Sequence, residues 1–203
     1  MFHRPMVRRL VSRSRVLPSL FALGAFAAFA GLIAGCGALT TSSAGTPTPA
    51  AATQPVAQVV HLKTTVLNGN WPQFSPTSFT VAKGDTVVLT ITSFDPGAAT
   101  TPANFAKVSG TVGGTELLNG QATSSIAADQ VSHTLTVPAL GINIVVPAVP
   151  AGEKSVTVQA TFKVAKSGSF VWQCMAPCGT GQSGWSGPMA EKGYMSGELT
   201  VTQ

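Results

Sequence analysis

The sequence predicts an all-β domain, a sandwich or barrel of short strands, over residues 59–203. Three observations carry that expectation. Val87, Leu89 and Ile91 alternate with Val88, Thr90 and Thr92, the period of two that gives a strand one buried face. The 203 residues include 21 Gly and 14 Pro, which cut the chain into short segments. Beyond residue 36 no helical stripe lasts more than a turn or two.

Taken in order, Val59–Val66 is a β-rich run. Trp71–Pro76 reads as a turn-rich link, and Ser78–Val81 as a short strand. Lys83-Gly84-Asp85 is a turn into the strand Thr86–Thr92. Residues 95–130 are small, polar and turn-rich, a long excursion with no role legible in the sequence. Strands follow at His133–Val137, Gly141–Val146, Ser155–Phe162, Ser169–Cys174 and Glu198–Val201. Phe170 and Trp172 share a strand face and are expected in the core, and His61 is expected to be structural.

The N-terminus reads as an address. Arg4, Arg8, Arg9, Arg13 and Arg15 precede an uncharged run from Val16 to Gly35. The run ends in Leu32-Ile33-Ala34-Gly35-Cys36, which resembles the bacterial lipobox, so residues 1–36 are expected to be a lipoprotein signal with Cys36 as the lipidated residue. The alternative is an uncleaved anchor, because about 20 apolar residues can span a bilayer. Either reading puts the remainder on the extracytoplasmic face of a bacterial membrane. Residues 37–58 carry no charge and no period, and read as a flexible linker.

Charge excludes one class of partner. The formal charge of +5 comes from the five N-terminal arginines. After Cys36 seven lysines meet seven acids and no arginine remains. Such a surface is a poor phosphate binder, so no nucleic-acid partner is expected. Enzyme signatures are also missing: no phosphate loop, no G-x-S-x-G elbow and no helical His pair.

The remaining chemistry is sulfur-rich. Cys174-Met175-Ala176-Pro177-Cys178-Gly179-Thr180-Gly181-Gln182 follows a strand, with Met189 and Met195 beyond it. Thiolate and thioether donors are soft and suit copper. Four segments then fall in a telling order: Lys83-Gly84-Asp85-Thr86-Val87, His133-Thr134-Leu135-Thr136-Val137, Gly168-Ser169-Phe170-Val171-Trp172-Gln173-Cys174 and Met195-Ser196-Gly197-Glu198-Leu199-Thr200-Val201. Together they resemble the cupredoxins over about residues 66–203. The resemblance implies a Greek-key β-sandwich with copper held by His133 and Cys174 and an axial Met195. The spacing Cys174-x3-Cys178-Gly179-Thr180-Gly181 is similar to the CuA loop of cytochrome c oxidase subunit II, where both thiolates bridge two coppers. Two positions depart from that loop: Gln182 stands where it has His, and Trp185 where it has Met. No second histidine lies within residues 175–194, so neither a complete CuA site nor a complete type 1 site can be built from the usual ligands.

The expected metal set is therefore His133, Cys174, Cys178 and Met195, with Gln182 and Met189 as lesser candidates. A Cys174–Cys178 disulfide is the competing expectation, since close extracytoplasmic cysteines tend to oxidise. The implied function is one-electron transfer with a respiratory complex, by a lipid-anchored monomer rather than an enzyme. Copper storage or delivery, and a metal-free binding module, are the alternatives.

Overall fold

The computed structural model describes residues 56–203. The signal, Cys36 and most of the linker lie outside them. Among the described residues there are eleven strands, three 3-10 turns and no α-helix. No helix there is long and apolar enough to cross a membrane.

The strands are β1 (Val59–Leu67), β2 (Gln73–Ser75), β3 (Ser78–Ala82), β4 (Thr86–Ser93), β5 (Glu116–Leu118) and β6 (Gln121–Thr123), then β7 (Val131–Val137), β8 (Ile142–Pro147), β9 (Val156–Lys163), β10 (Gly168–Gln173) and β11 (Ser196–Thr202). One sheet has the order β2-β1-β4-β9-β5-β6 and the other β3-β11-β10-β7-β8. The all-β sandwich expected from the sequence is the observed fold. The link Trp71–Pro76 differs in one respect: Gln73–Ser75 pairs antiparallel with the end of β1.

Alternation builds the core. On β4 the residues Val87, Leu89 and Ile91 are buried and pair with the buried Phe162, Ala160 and Val158 of β9. The opposite sheet answers with Leu199 and Val201 of β11 and with Trp172 of β10. Burying one such aliphatic side chain stabilises by roughly 1.5–3 kcal/mol. Phe74 packs edge-on against Trp172 with ring centroids 5.0 Å apart. The buried indole N–H of Trp172 is satisfied by donating to the Thr77 carbonyl at 2.9 Å.

The turn before β4 is held by one carboxylate. Asp85 accepts from the Ala82 N–H at 2.8 Å and from the Gln58 N–H at 3.0 Å, tying the start of β1 to the start of β4.

Strands β7 and β8 are buried along their whole length. The reason lies in residues 95–130, which form β5, β6 and a cover over these strands. Asn143 of β8 donates to the carbonyls of Phe105 and Lys107 at 3.0 and 2.7 Å and exchanges backbone hydrogen bonds with Ser109. Ala106 and Val108 are buried in the same layer. The excursion is thus a structural cover packed on β8, the strand beside the one that carries His133.

Candidate metal centre

Two strands of one sheet bring the chemistry together. His133 lies on β7, and Cys174 directly follows β10, whose last residue Gln173 pairs with Thr136 of β7. Sheet pairing therefore sets two residues 41 positions apart in the chain beside each other. The Thr134 N–H donates to Cys174 Sγ at 3.3 Å. The Thr134 hydroxyl accepts from the Met175 N–H at 2.7 Å.

Cys178 arrives by a different route. The loop after β10 folds back on itself: Thr180 and Ser186 exchange backbone hydrogen bonds, and the Gly179 N–H donates to the Gly184 carbonyl at 2.7 Å. Gly179 has no room for a side chain, because a Cβ there would lie 2.8 Å from both the Gly184 carbonyl oxygen and Met189 Cγ. That close approach sets Met189 beside Cys178, with the two sulfurs 3.3 Å apart.

Donor atoms of His133, Cys174 and Cys178 all lie within 4.8 Å of one another. The two thiol sulfurs are 3.4 Å apart and both cysteines are free, against about 2.05 Å for a covalent bond. The disulfide that the sequence left open is not formed. His133 and Cys174 are buried and Cys178 is partly exposed.

The ring of His133 is asymmetric. Its Nε2 meets Asp95 Oδ2 at 2.9 Å, while Nδ1 is buried without a hydrogen-bond partner. Phe74 packs edge-on against the ring at a centroid distance of 6.1 Å. Burial disfavours the imidazolium, but the Asp95 hydrogen bond and the Cys174 thiolate outweigh it and push the ring up to about 9. For Asp95 burial works upward, yet hydrogen bonds from His133 and the Gly97 N–H carry it below the ordinary range. Burial also opposes ionisation of Cys174. The Cys178 thiol, the histidine and the Thr134 N–H overcome that and hold its thiol well below the usual value. The hydrogen bond to Cys174, together with burial, keeps the proton on Cys178 and pushes its thiol up. The two sulfurs are thus driven apart, Cys174 toward the thiolate and Cys178 toward the thiol, in a cluster that holds protons a metal would displace.

The other expected ligands are placed as follows. Met195 is buried next to β11, and its carbonyl accepts the Cys174 N–H at 2.8 Å. Gln182 is exposed on the turn closed by the Gly184 N–H and the Gly181 carbonyl, as is Trp185 just beyond it. The Met189 sulfur lies 3.3 Å from Cys178 Sγ. His61 is exposed on β1, away from these strands' buried faces.

Asp95 was not legible as a site residue. Phe94-Asp95-Pro96-Gly97 signals a turn, and the turn is formed, with the Gly97 N–H on Asp95 Oδ1 at 2.7 Å. The reach of its other oxygen to a histidine 38 residues on has no sequence signature.

No protein-family model and no curated protein matches the chain. Among solved structures it resembles rusticyanin from Thiobacillus ferrooxidans at 12% identity, covering 72% of this chain and 79% of that one, with a TM-score of 0.36. Auracyanin B is similar at 16% identity over 75% of this chain and 94% of that one, TM-score 0.31. The multicopper oxidase mgLAC is similar at 13% over 72% and 39%, TM-score 0.35. Likeness this low carries nothing about ligands or partners from those proteins to this chain. The chain's own residues define its class: a β-sandwich with a buried histidine–cysteine cluster able to hold a metal ion.

Proposed function

We infer that the chain is a copper-binding, cupredoxin-like protein that carries one electron at a time on the extracytoplasmic face of a membrane, tethered by a lipid on Cys36. One observation supports the metal above all others. His133 has a buried ring nitrogen without a partner, and a donor atom of that ring lies within 4.8 Å of two unjoined cysteine sulfurs; an unsatisfied buried polar atom costs stability unless something fills it. The residues fit copper: His133 and Cys174 would supply a nitrogen and a thiolate, while Cys178, Met195 and Met189 would extend the sulfur set. Bound copper supplies a centre that accepts one electron from a reduced partner and returns it to an oxidised one. The chain's part is to keep that centre dry and its ligands fixed. β7 is held between β8 and β10 by sheet pairing, and His133 on it is fully buried. A respiratory complex as the partner, the monomeric state and the lipid anchor rest on the sequence.

The sulfur string Cys174–Cys178–Met189 favours a second reading, storage or delivery of Cu(I), because three soft donors stand against one nitrogen. Copper quantification with a visible spectrum separates the two. A coloured Cu(II)–thiolate protein that cycles reversibly supports electron transfer. Tight uptake of colourless Cu(I) supports delivery, and no uptake of either ion overturns both. For the tether, Cys36→Ser should leave an unprocessed precursor; normal maturation of that variant rules out lipidation.

A further inference from the structure

The two nitrogens of His133 have been given different tasks by one carboxylate. A neutral imidazole carries one N–H and one lone pair. An ionised carboxylate can only accept, so the 2.9 Å contact to Asp95 Oδ2 keeps a hydrogen on Nε2 in either charge state of the ring and leaves Nδ1 as the atom a metal would hold. Asp95 is itself immobilised. Its Oδ1 accepts the Gly97 N–H at 2.7 Å, its carbonyl accepts the Val149 N–H at 2.9 Å, and its own N–H donates to Ser93 Oγ at 3.3 Å. The carboxylate–imidazole pair is nearly dry, with side-chain exposures of 13% and 0%. A contact so shielded is weakly screened by solvent.

We propose that Asp95 is the positioning residue of the metal centre: it locks His133 with Nε2 protonated, aims Nδ1 at Cys174 and Cys178, and places a negative charge behind the metal. The orienting carboxylate behind a ligand histidine is a general device of metal sites, and its loss typically weakens binding by about 10–100-fold. The added charge favours the more highly charged metal ion, so it lowers the reduction potential. The inference rests on the copper reading for its potential, but not for the state of the ring.

The test separates these. In the metal-free full-length protein, nitrogen-15 NMR of His133 should show a slowly exchanging proton on Nε2. Asp95→Ala should lose that protection. A cleft of about 160 Å³ lined by Asp95, Gly97, Ser132 and Cys178 leads to the vacated position, so excess formate should restore it. With copper, Asp95→Ala should bind about 10–100-fold more weakly and recover with formate. Asp95→Asn, close in shape, should show a more positive potential even if the alanine variant does not fold. An unaltered Nε2 proton in Asp95→Ala, or an unmoved potential in Asp95→Asn, overturns the proposal. Should the native protein bind no copper while the ring proton behaves as stated, the positioning role stands and the copper reading alone fails.

Discussion

Thr134 grips Cys174 and the residue that follows it. Its N–H donates to the Cys174 sulfur at 3.3 Å and its hydroxyl accepts from the Met175 N–H at 2.7 Å. Because Thr134 follows His133 directly, the same residue sets the height of the thiolate against the imidazole. Thr134→Val keeps the shape and the N–H but removes the acceptor for Met175, leaving a partly buried N–H unpaired. We expect a loss of about 1–3 kcal/mol in chemical denaturation and weaker copper uptake. Stability and uptake both equal to the native protein would show that the clamp is idle.

The two cysteines should differ. Cys174 is buried and carries the thiolate, so Cys174→Ser should abolish copper binding while the fold persists. Cys178 is partly exposed and keeps its proton, so Cys178→Ser should lower copper content without eliminating it. Metal analysis of the purified variants checks both. Equal loss in the two would mean that the sulfurs act as an indivisible pair.

Met189 and Met195 can be told apart as well. The Met189 thioether lies 3.3 Å from Cys178 Sγ, whereas Met195 is buried and contributes its carbonyl to the Cys174 N–H. Met189→Leu should weaken Cu(I) binding by about tenfold, equivalent to about 1.4 kcal/mol. Met195→Leu, a swap of similar volume in the core, should cost under about 1.5 kcal/mol of stability. Competition against a Cu(I) chelator measures the first, and urea unfolding the second.

Glu116 gives the fold a dependence on pH. One of its oxygens accepts the Val145 N–H at 3.0 Å and the other is buried without a partner. Burial pushes its carboxyl up from 4.5 to about 8, against the smaller opposing pull of that N–H. Below pH 4.5 both folded and unfolded chains hold the proton and its contribution is fully present. Between 4.5 and about 8 the unfolded chain releases a proton that the fold retains, so stability falls as pH rises. Each unit of separation is worth about 1.4 kcal/mol at most. Glu116→Gln cannot titrate. The difference in stability between native and variant proteins should therefore move in the variant's favour from pH 5 to pH 8, and a difference independent of pH would contradict the account.

Gly197 sits where a strand passes under the Trp172 ring. A Cβ there would run into the Thr77 carbonyl and lie 2.7 Å from the indole nitrogen. Gly197→Ala must displace the very hydrogen bond that satisfies Trp172. A loss of about 3 kcal/mol or more, or failure to fold, is expected in thermal unfolding.

How far the sequence could be read follows from where the information lies. β4 was visible because alternation is local, and the buried residues Val87, Leu89 and Ile91 are the ones the pattern selects. β7 and β8 were visible as strands but not as doubly buried ones, since their outer face is covered by residues 95–130 through contacts such as Asn143 to Lys107. Trp172 as core was equally local in origin, and it is fully buried. His133 and Cys174 were marked by strand motifs, and pairing of β7 with β10 does bring them together. Asp95 and Met189 were not marked in the same way. One depends on a side chain reaching across 38 residues, the other on a glycine that lets two backbone segments touch. Neither event leaves a trace in spacing.

The parallel pairing of β3 with β11 carries a consequence for how the molecule is made. The last strand hydrogen-bonds to one formed far earlier, down to the Thr202 hydroxyl on the Val81 carbonyl 121 residues before it. A chain emerging from its N-terminus cannot close that sheet until β11 is free. Contacts of such long sequence separation form late and slowly. Every donor of the cluster precedes β11, yet Cys174 is tied to the carbonyl of Met195 at its threshold. The order of events is then fixed by topology: β11 is made, it docks on β3, and only afterwards are His133, Cys174 and Cys178 held rigidly beside one another.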